Sequence, residues 1–415
     1  MSEGAPVAVI GAGIVGAACA RALQRAGHQV ILLDATEPGQ GTSFGNAGYV
    51  AVDHVLPLCR PDVLLRVPRM LVERDAPLNI RWRSLPWILP WMARFAIAAR
   101  PDQLARGIDA LGALVAGADA AWQIELQASS LADLFRQRGG LYVYETERQF
   151  QADAQERRLQ RERGMEFAIL DGAEARGVAP GLSPSIIRAV HFPRTMHTLN
   201  PQRLVRSLVE RFVADGGRFE QARVETFELT GARVGGVVTL RERFPVGALV
   251  IAAGRASGEL AALLRFRAPL IAERGYHVML EGSGYACEVP VCSAERGFFV
   301  TPMEEGVRLA GTVELSHGGA PPTWARAEVL RRQARAIFPA IDDRMVSQWM
   351  GERPTLPDFL PAIGRAPDLA NVYCAYGHQH LGLTLAAETG RLVTRLLAGE
   401  ALAPAVRACD PGRFG

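Results

Sequence analysis

The sequence has no C-x-x-C pair, no block of like charge, no internal repeat and no low-complexity stretch. Its six cysteines (Cys19, Cys59, Cys287, Cys292, Cys374 and Cys409) are scattered. That spacing argues against a disulfide scaffold and against a metal site, and it leads us to expect reduced thiols in a cytoplasmic protein. The 46 basic residues nearly balance the 43 acidic ones, for a formal charge of +3. With no basic block interleaved with aromatics, a nucleic-acid partner is not expected. The beginning, MSEGAP, lacks a positive region followed by an apolar core, so no secretory signal is expected. The one membrane-like run, LPWILPWMARFAIAAR at Leu85–Arg100, is too short to span, contains Pro90 and carries Arg94. It reads as a helix packed on the core, or as a monotopic patch with tryptophans at the interface. The rarity of large exposed apolar patches favours the packed helix.

What is present is richer. The chain has 415 residues, too many for one ordinary core, so two domains are expected. Near its start stands VAVIGAGIVGAACARALQRAGHQVILLD, Val7 to Asp34. Val7–Ile10 is short, apolar and β-branched, the pattern of a buried strand. Gly11, Gly13 and Gly16 form G-x-G-x-x-G at the turn into a helix, and Ile14 and Val15 within it are expected at the cofactor. The first glycine permits a tight turn. The second lets a pyrophosphate approach the backbone, and the third lets helix and strand pack closely. The pyrophosphate then rests on the free N–H groups of the helix start. Ala17–Ala26 continues the helix, Gly27 stops it, and Val30–Leu33 is the second strand. Asp34, followed by Ala35, falls where an acid binds a ribose 2′-hydroxyl and repels a 2′-phosphate, which disfavours NADP. The glycines alone do not separate FAD from NAD.

Further along, TSFGNAGYVAV (Thr42–Val52) is rich in small residues, as a loop close to a ligand would be. Helical patterns dominate from Pro61 to Gly139, with a break near Pro77–Pro90. GGLYVYET reads as a strand, followed by a charged helix, and AVHFP is a short strand. Asn200–Gly217 is a helix with Pro201 at its start and Gly216–Gly217 at its end. VIAAG closes a buried strand at Ala253 and Gly254. Tyr276–Leu280, Gly297–Thr301 and Val307–Glu314 alternate as an antiparallel sheet. A helix is expected near Trp324–Ile337, a strand in NVYCAYG, and a last helix from Thr384 to Leu397. Rossmann-like pieces thus interleave with sheet-rich ones. The expected fold is α/β, with a dinucleotide domain over 1–60, 196–265 and 346–415. An α+β substrate domain, built on an antiparallel sheet, takes 61–195 and 266–345.

With TSFGNAGYV, VIAAG, GERPTLPDFLPAIG and GHQHLGLT in view, the chain resembles the D-amino acid dehydrogenase/glycine oxidase family of FAD-dependent amine oxidoreductases, the DAO type. Within it, the chain looks most similar to bacterial D-amino acid and D-hydroxyproline dehydrogenases. The resemblance implies FAD, with cofactor roles for Thr42, Ser43, Asn46, Ala47 and Gly48. It implies a valine backbone at the adenine, matched by Val224. It also implies a helix start facing the flavin, matched by Gly377, His378, Leu381, Gly382, Leu383 and Thr384. Such a helix start suits the negative charge that reduced flavin gathers.

Arg353 matches the arginine that grips the substrate carboxylate, which a guanidinium fork binds at two points. Glycine oxidases carry a second arginine where this chain has His380, which weakens a glycine oxidase assignment. Tyr276, Tyr49 and His54 are further substrate-binding candidates. Glu281 or Glu295 would serve a cationic side chain if the fold brought them close. The implied reaction is oxidation of a D-amino acid or cyclic secondary amino acid, with hydride leaving Cα for flavin N5 and no protein general base required when the amine enters neutral. D-proline or cis-4-hydroxy-D-proline is the favoured substrate. Related sarcosine-type oxidases attach flavin through a cysteine near the Arg353 segment. None lies between Cys292 and Cys374, so FAD is expected to be non-covalent. The electron acceptor is left open between a quinone, a carrier and oxygen. A glycine/sarcosine-type oxidase, an NAD-dependent dehydrogenase and a flavin-bearing subunit of a hetero-oligomeric dehydrogenase are the alternatives. The expected location is cytoplasmic, or peripheral on the inner membrane face.

Overall fold

The computed structural model describes residues 4–61, 63, 78–282, 284–316 and 319–414. The chain enters a six-stranded sheet at once. β1 (Val7–Ile10) leads through α1 (Ile14–Arg25) to β2 (Val30–Asp34), and β1 and β2 pair in parallel. β1 also pairs in parallel with Ala248–Ile251, which pairs in turn with Val372–Tyr376. Ala362–Arg365 runs antiparallel on one edge, and Arg218–Gln221 closes the other edge beside β2. β1 is buried at all four positions, because helices cover one face of this sheet and a second layer covers the other.

The helical face is built by α1, Pro201–Ala214 and the closing helix Gly382–Leu397. α1 and the closing helix touch closely, since a Cβ on Gly390 would stand 2.7 Å from the Ala18 carbonyl oxygen. On the opposite face lies a three-stranded meander, Val224–Thr230, Arg233–Thr239 and Arg243–Pro245. Its Phe227, Val237 and Phe244 pack against Ala8, Ile10, Ile31 and Leu33.

The second sheet has nine strands. Met345–Thr355 forms one edge and pairs antiparallel with Ile271–Leu280, which pairs antiparallel with Gly306–Leu315. Phe298–Met303, Val291–Ser293, Gly140–Tyr144, Arg188–Phe192 and Ala168–Asp171 continue the sheet in that order, and Leu78–Ile80 pairs with Gly306–Leu315. Ala325–Ile337 covers the apolar face that carries Tyr276, Val278 and Leu280. Residues 346–355, which the sequence assigned to the dinucleotide domain, therefore belong to this sheet, and the crossing falls after Thr355. The charged helix after Gly140–Tyr144 is two helices, Glu147–Ala152 and Ala154–Glu162, meeting at Asp153.

Leu85–Ala98 is a helix with Pro90 inside it. Its Ile88, Trp91 and Phe95 pack against Ile80, Ile271 and Phe359. Its other face is apolar and open, with Trp87 65%, Leu89 56% and Ile97 51% exposed. The buried face is the one expected of a helix packed on the core. Among the described residues no helix is long and apolar enough to cross a membrane.

The sequence contains no lysine, so all 46 cationic side chains are arginines. Several are buried and fully committed. Arg21 on α1 donates through Nε to Glu125 Oε1 at 3.2 Å and through Nη1 to Asp215 Oδ2 at 2.6 Å. This joins α1 to Pro101–Ser129 and to the end of Pro201–Ala214. Removing one partner of a buried pair leaves an uncompensated charge. Glu125→Ala should therefore lower unfolding free energy by about 3–5 kcal/mol, read from urea denaturation. A loss within the scatter of a surface substitution would show that Asp215 alone satisfies Arg21.

Candidate active site

A cleft of about 470 Å³ runs along the carboxyl ends of the parallel strands. This is where an open α/β sheet offers a crevice to a ligand. Gly11, Ala12, Gly13, Ile14, Val15 and Asp34 line one stretch of it. Gly11 holds φ +109°, and a Cβ there would stand 2.4 Å from the Ala252 carbonyl oxygen. A Cβ on Gly16 would stand 1.8 Å from the Gly11 oxygen. Both positions admit only glycine, the first for its backbone angle and the second for the close approach of helix and turn. The Asp34 carboxylate accepts from the Ala12 N–H at 2.6 Å and the Thr36 N–H at 2.8 Å, which fixes its direction at the cleft edge.

The second stretch is built by the small-residue loop. Thr42, Ser43 and Asn46 line the cleft. Ser43 Oγ accepts from the Ile14 N–H at 3.0 Å, and Thr42 Oγ1 donates to the Glu352 carbonyl at 2.7 Å. Buried Arg308 donates through Nη1 to the carbonyls of Phe44 at 3.1 Å and Asn46 at 2.7 Å. Asn46 Oδ1 in turn accepts from the Gly48 N–H at 2.8 Å. The third stretch is Ala253, Gly254, Gly377, His378, Gly382 and Leu383. Two helix starts, α1 and the closing helix, thus converge on one cleft, and both favour a ligand carrying negative charge. An acid at one end, a glycine-lined middle and a second helix start fit FAD.

Several expected cofactor residues are not part of this wall. Ala35, Ala47, Gly48, Leu381 and Thr384 are not lining residues. Leu381 is core, and Thr384 Oγ1 accepts from the Ala51 N–H at 2.9 Å. His378 lines the cleft, but its Nε2 is 2.9 Å from Thr389 Oγ1 on the closing helix. Val224 begins the outer meander directly after the edge strand Arg218–Gln221, with its side chain packed on the apolar layer, and it is not a lining residue of the cleft.

Beyond the cleft stands the ladder between Ile271–Leu280 and Met345–Thr355. Glu273 faces Arg353, Gly275 faces Gly351, and His277 faces Trp349. Arg353 Nη1 donates to Glu273 Oε1 at 3.2 Å, and Thr355 Oγ1 donates to Glu273 Oε2 at 3.0 Å. The guanidinium lies across Gly275, where a Cβ would stand 2.4 Å from Cζ. Trp349 stacks on His277 with ring centroids 5.3 Å apart and touches Phe44 at 5.8 Å. Burial holds the His277 imidazole down at about 3, so it is neutral at ordinary pH. Glu273, Gly275, His277, Trp349 and Arg308 were not visible as site residues in the sequence. Two glycines placed opposite each other on neighbouring strands would have been the available signal.

His380 is half-buried beside His54, edge to face at 4.9 Å between centroids, and the Arg353 charge reaches it. Tyr49 is buried among Tyr142 and Phe299 at 6.3 and 5.0 Å. Tyr276 is a correction. Strand neighbours point to opposite faces, so Tyr276 turns away from Arg353 into the core. There its hydroxyl donates to Glu314 Oε1 at 3.3 Å and accepts from the Thr323 N–H at 2.9 Å. Glu281 is paired with Arg344, and Glu295 accepts from the Glu145 and Thr146 N–H groups at 3.0 and 2.9 Å. Neither acid stands with the Arg353 group.

Comparison with known proteins decides the family. The family model for FAD dependent oxidoreductases, DAO, matches residues 6–396. The chain belongs to the DAO family of FAD-dependent oxidoreductases. A D-amino-acid oxidase of Bradyrhizobium diazoefficiens is 33% identical over the whole of both chains. The D-amino acid dehydrogenase 2 of Ralstonia nicotianae is 32% identical, over 97% of this chain and 98% of its own. Among solved structures, the L-proline dehydrogenase of P. horikoshii has a TM-score of 0.77 at 18% identity, covering 100% of this chain and 98% of its own. The glycine oxidase of Bacillus cereus has a TM-score of 0.73 at 21% identity, covering 97% and 98%. This DAO-family chain thus shares the fold of the solved structures from end to end.

The guanidinium position depends on the missing side chain at 275. Gly275→Ala should push Arg353 off its seat and weaken binding of a carboxylate probe, benzoate, by about a hundredfold, the cost of roughly an ångström of misplacement. Titration followed through flavin absorbance, with Tm as a control, measures this. Unchanged benzoate affinity in a normally folded variant would show that Arg353 does not need the gap.

Proposed function

We propose that this enzyme oxidises D-amino acids at the Cα–N bond, with D-proline and cis-4-hydroxy-D-proline preferred over glycine and over cationic D-amino acids. The observation that carries the reading is Arg353. Its guanidinium lies over Gly275 between two residues that line the cofactor cleft, Glu352 and Pro354, with one nitrogen tied to Glu273. Among the described residues it has no other hydrogen-bond or ion-pair partner, which leaves donors for a carboxylate. FAD, when bound, supplies the two-electron acceptor, held without a covalent link. The chain's own residues bind, orient and exclude water. Arg353 fixes the carboxylate, Glu273 and Thr355 fix Arg353, and the stack of Trp349, His277 and Phe44 walls the cleft.

The preference for a compact ring rests on what surrounds Arg353. His380 and His54 offer nitrogen atoms to a ring hydroxyl, and a hydroxyl-reading pocket rejects analogues that leave its polar groups unpaired. Burial pushes the Asp53 carboxyl up to about 6 and the Glu156 carboxyl up to about 7. Near neutral pH the Glu156 carboxyl is only part-ionised, and neither acid is paired with Arg353.

The open face of Leu85–Ala98 supports a peripheral membrane position. Trp87, Leu89 and Ile97 are exposed together, and the exposed arginines Arg83 and Arg100 flank the helix. Apolar area with basic ends suits an anionic lipid surface, where a quinone would accept the electrons. Protein should co-sediment with phosphatidylglycerol vesicles, and Trp87→Ser with Leu89→Ser should abolish this. Equal recovery without vesicles would leave a soluble carrier or oxygen as acceptor.

The substrate reading is tested by anaerobic mixing with D-proline, cis-4-hydroxy-D-proline, glycine and D-arginine, following bleaching of the flavin. Arg353→Lys should raise KM strongly and lower kcat/KM, because lysine keeps the charge and loses the fork. Near-normal kinetics in that variant would remove Arg353 from the site. Bleaching by D-arginine or glycine, with none by either cyclic substrate, would overturn the ring preference. Acid precipitation should leave a yellow supernatant; colour retained in the pellet would show a covalent flavin.

A further inference from the structure

A second cavity, of about 360 Å³, lies among the helix Leu85–Ala98, the short helix Ser257–Leu263 and the start of the strand Ile271–Leu280. Its walls are mostly apolar: Trp87 and Ile88 come from the first helix, and Leu270, Ile271 and Ala272 from the chain entering the strand. It also carries one exposed charged pair, Arg255 and Glu259. Dry packing voids are lined by apolar groups alone. A cavity with a guanidinium in its wall suits an apolar ligand that carries an acceptor oxygen.

This cavity touches the cofactor cleft. Arg255 lines both. Its Nε stands 2.8 Å from Glu352 Oε2 and its Nη1 stands 3.4 Å from Glu259 Oε1. Glu352 lines the cleft and Glu259 lines the second cavity, so the guanidinium is held across the wall with an acid on each side. At this point a single side chain separates the two spaces. The cavity also reaches Trp87, which belongs to the open apolar face together with Leu89 and Ile97. One space thus adjoins both the cofactor cleft and the apolar surface. Neither the glycine turn nor the Arg353 group accounts for it.

We infer that this cavity is the seat of a quinone, which takes the electrons of the reduced flavin. A quinone is a flat apolar ring with carbonyl oxygens on opposite edges. The apolar walls take the ring, and Arg255, whose five N–H donors are not exhausted by two acids, donates to a carbonyl. The inference rests on the peripheral reading of the Leu85–Ala98 face, since a lipid-soluble acceptor then arrives beside Trp87. In the step, two electrons pass to the quinone and each of its two carbonyl oxygens gains a proton. The reduced flavin gives up the two hydrogens it carries, and nothing else is consumed. Arg353 is not among the residues of this cavity, so amino acid and quinone have separate seats.

Gly258 supplies the test. It lines the cavity, and a Cβ there would meet nothing nearer than the Ala268 carbonyl oxygen at 3.7 Å. Gly258→Leu therefore fills the space without a clash at the backbone. Holoenzyme is reduced anaerobically with stoichiometric dithionite and mixed with decylubiquinone, without vesicles, and the return of flavin absorbance is followed. The parent rate should saturate with quinone concentration, and Gly258→Leu should lose that saturation while keeping its Tm, its benzoate affinity and its reduction by D-proline. In the oxidised parent, decylubiquinone should quench indole fluorescence. Trp87→Phe should lose that quench, and saturating benzoate should leave it in place. Equal reoxidation of parent and Gly258→Leu, a parent reoxidised by oxygen and not by the quinone, or a quench that benzoate removes would each overturn the site. Dithionite and the absence of lipid keep this result apart from the others. A wrong substrate shows only in bleaching by amino acids, and a wrong membrane position shows only in co-sedimentation.

Discussion

The antiparallel ladder between Ile271–Leu280 and Met345–Thr355 is the constraint on which the site depends. Its register puts an acid opposite an arginine, a glycine opposite a glycine and a histidine opposite a tryptophan, all on the face that carries Arg353. The two glycines leave room for the guanidinium and the indole, since a Cβ at either position would overlap them. A slip of one residue would turn Arg353 into the apolar face under Ala325–Ile337 and put Met350 or Glu352 opposite its present neighbours. The strand then ends at Thr355, which bridges to His378 at the start of the third cofactor stretch. The nine-stranded sheet and the six-stranded sheet are therefore joined by backbone at the edge of the cleft.

What could be read from the sequence divides along the distance between partners. The stretch from Val7 to Asp34 was legible because its strand, turn, helix and acid are all local, and the folded chain places each within three residues of expectation. The closing helix was legible for the same reason. Arg353 could be singled out through resemblance, but its holder could not, since Glu273 lies 80 residues earlier. Tyr276 was assigned to the wrong face because all ten positions of its strand are buried, which erases the alternation that would have revealed its direction. Met345–Thr355 was unreadable as a strand, because its first half is exposed and Pro354 falls near its end. Its edge position tolerates that proline.

A chain with only arginine for positive charge uses it in two ways. Most buried arginines are saturated by fixed groups. Arg308 holds two loop carbonyls, and Arg274 reaches the Ala320 carbonyl at 2.6 Å as well as Glu352 and Glu314. These set backbone positions, and their charge is spent on the fold. Arg353 differs by geometry and not by burial alone. Glu273 satisfies it at Nη1, Thr355 fixes Glu273 from behind, and the rest of the fork is directed over an absent side chain. A lysine in the same place would satisfy Glu273 with its only nitrogen and have no second donor edge to offer. The acid beside Arg353 therefore orients the guanidinium without using it up, which is the condition a carboxylate site has to meet before any substrate arrives.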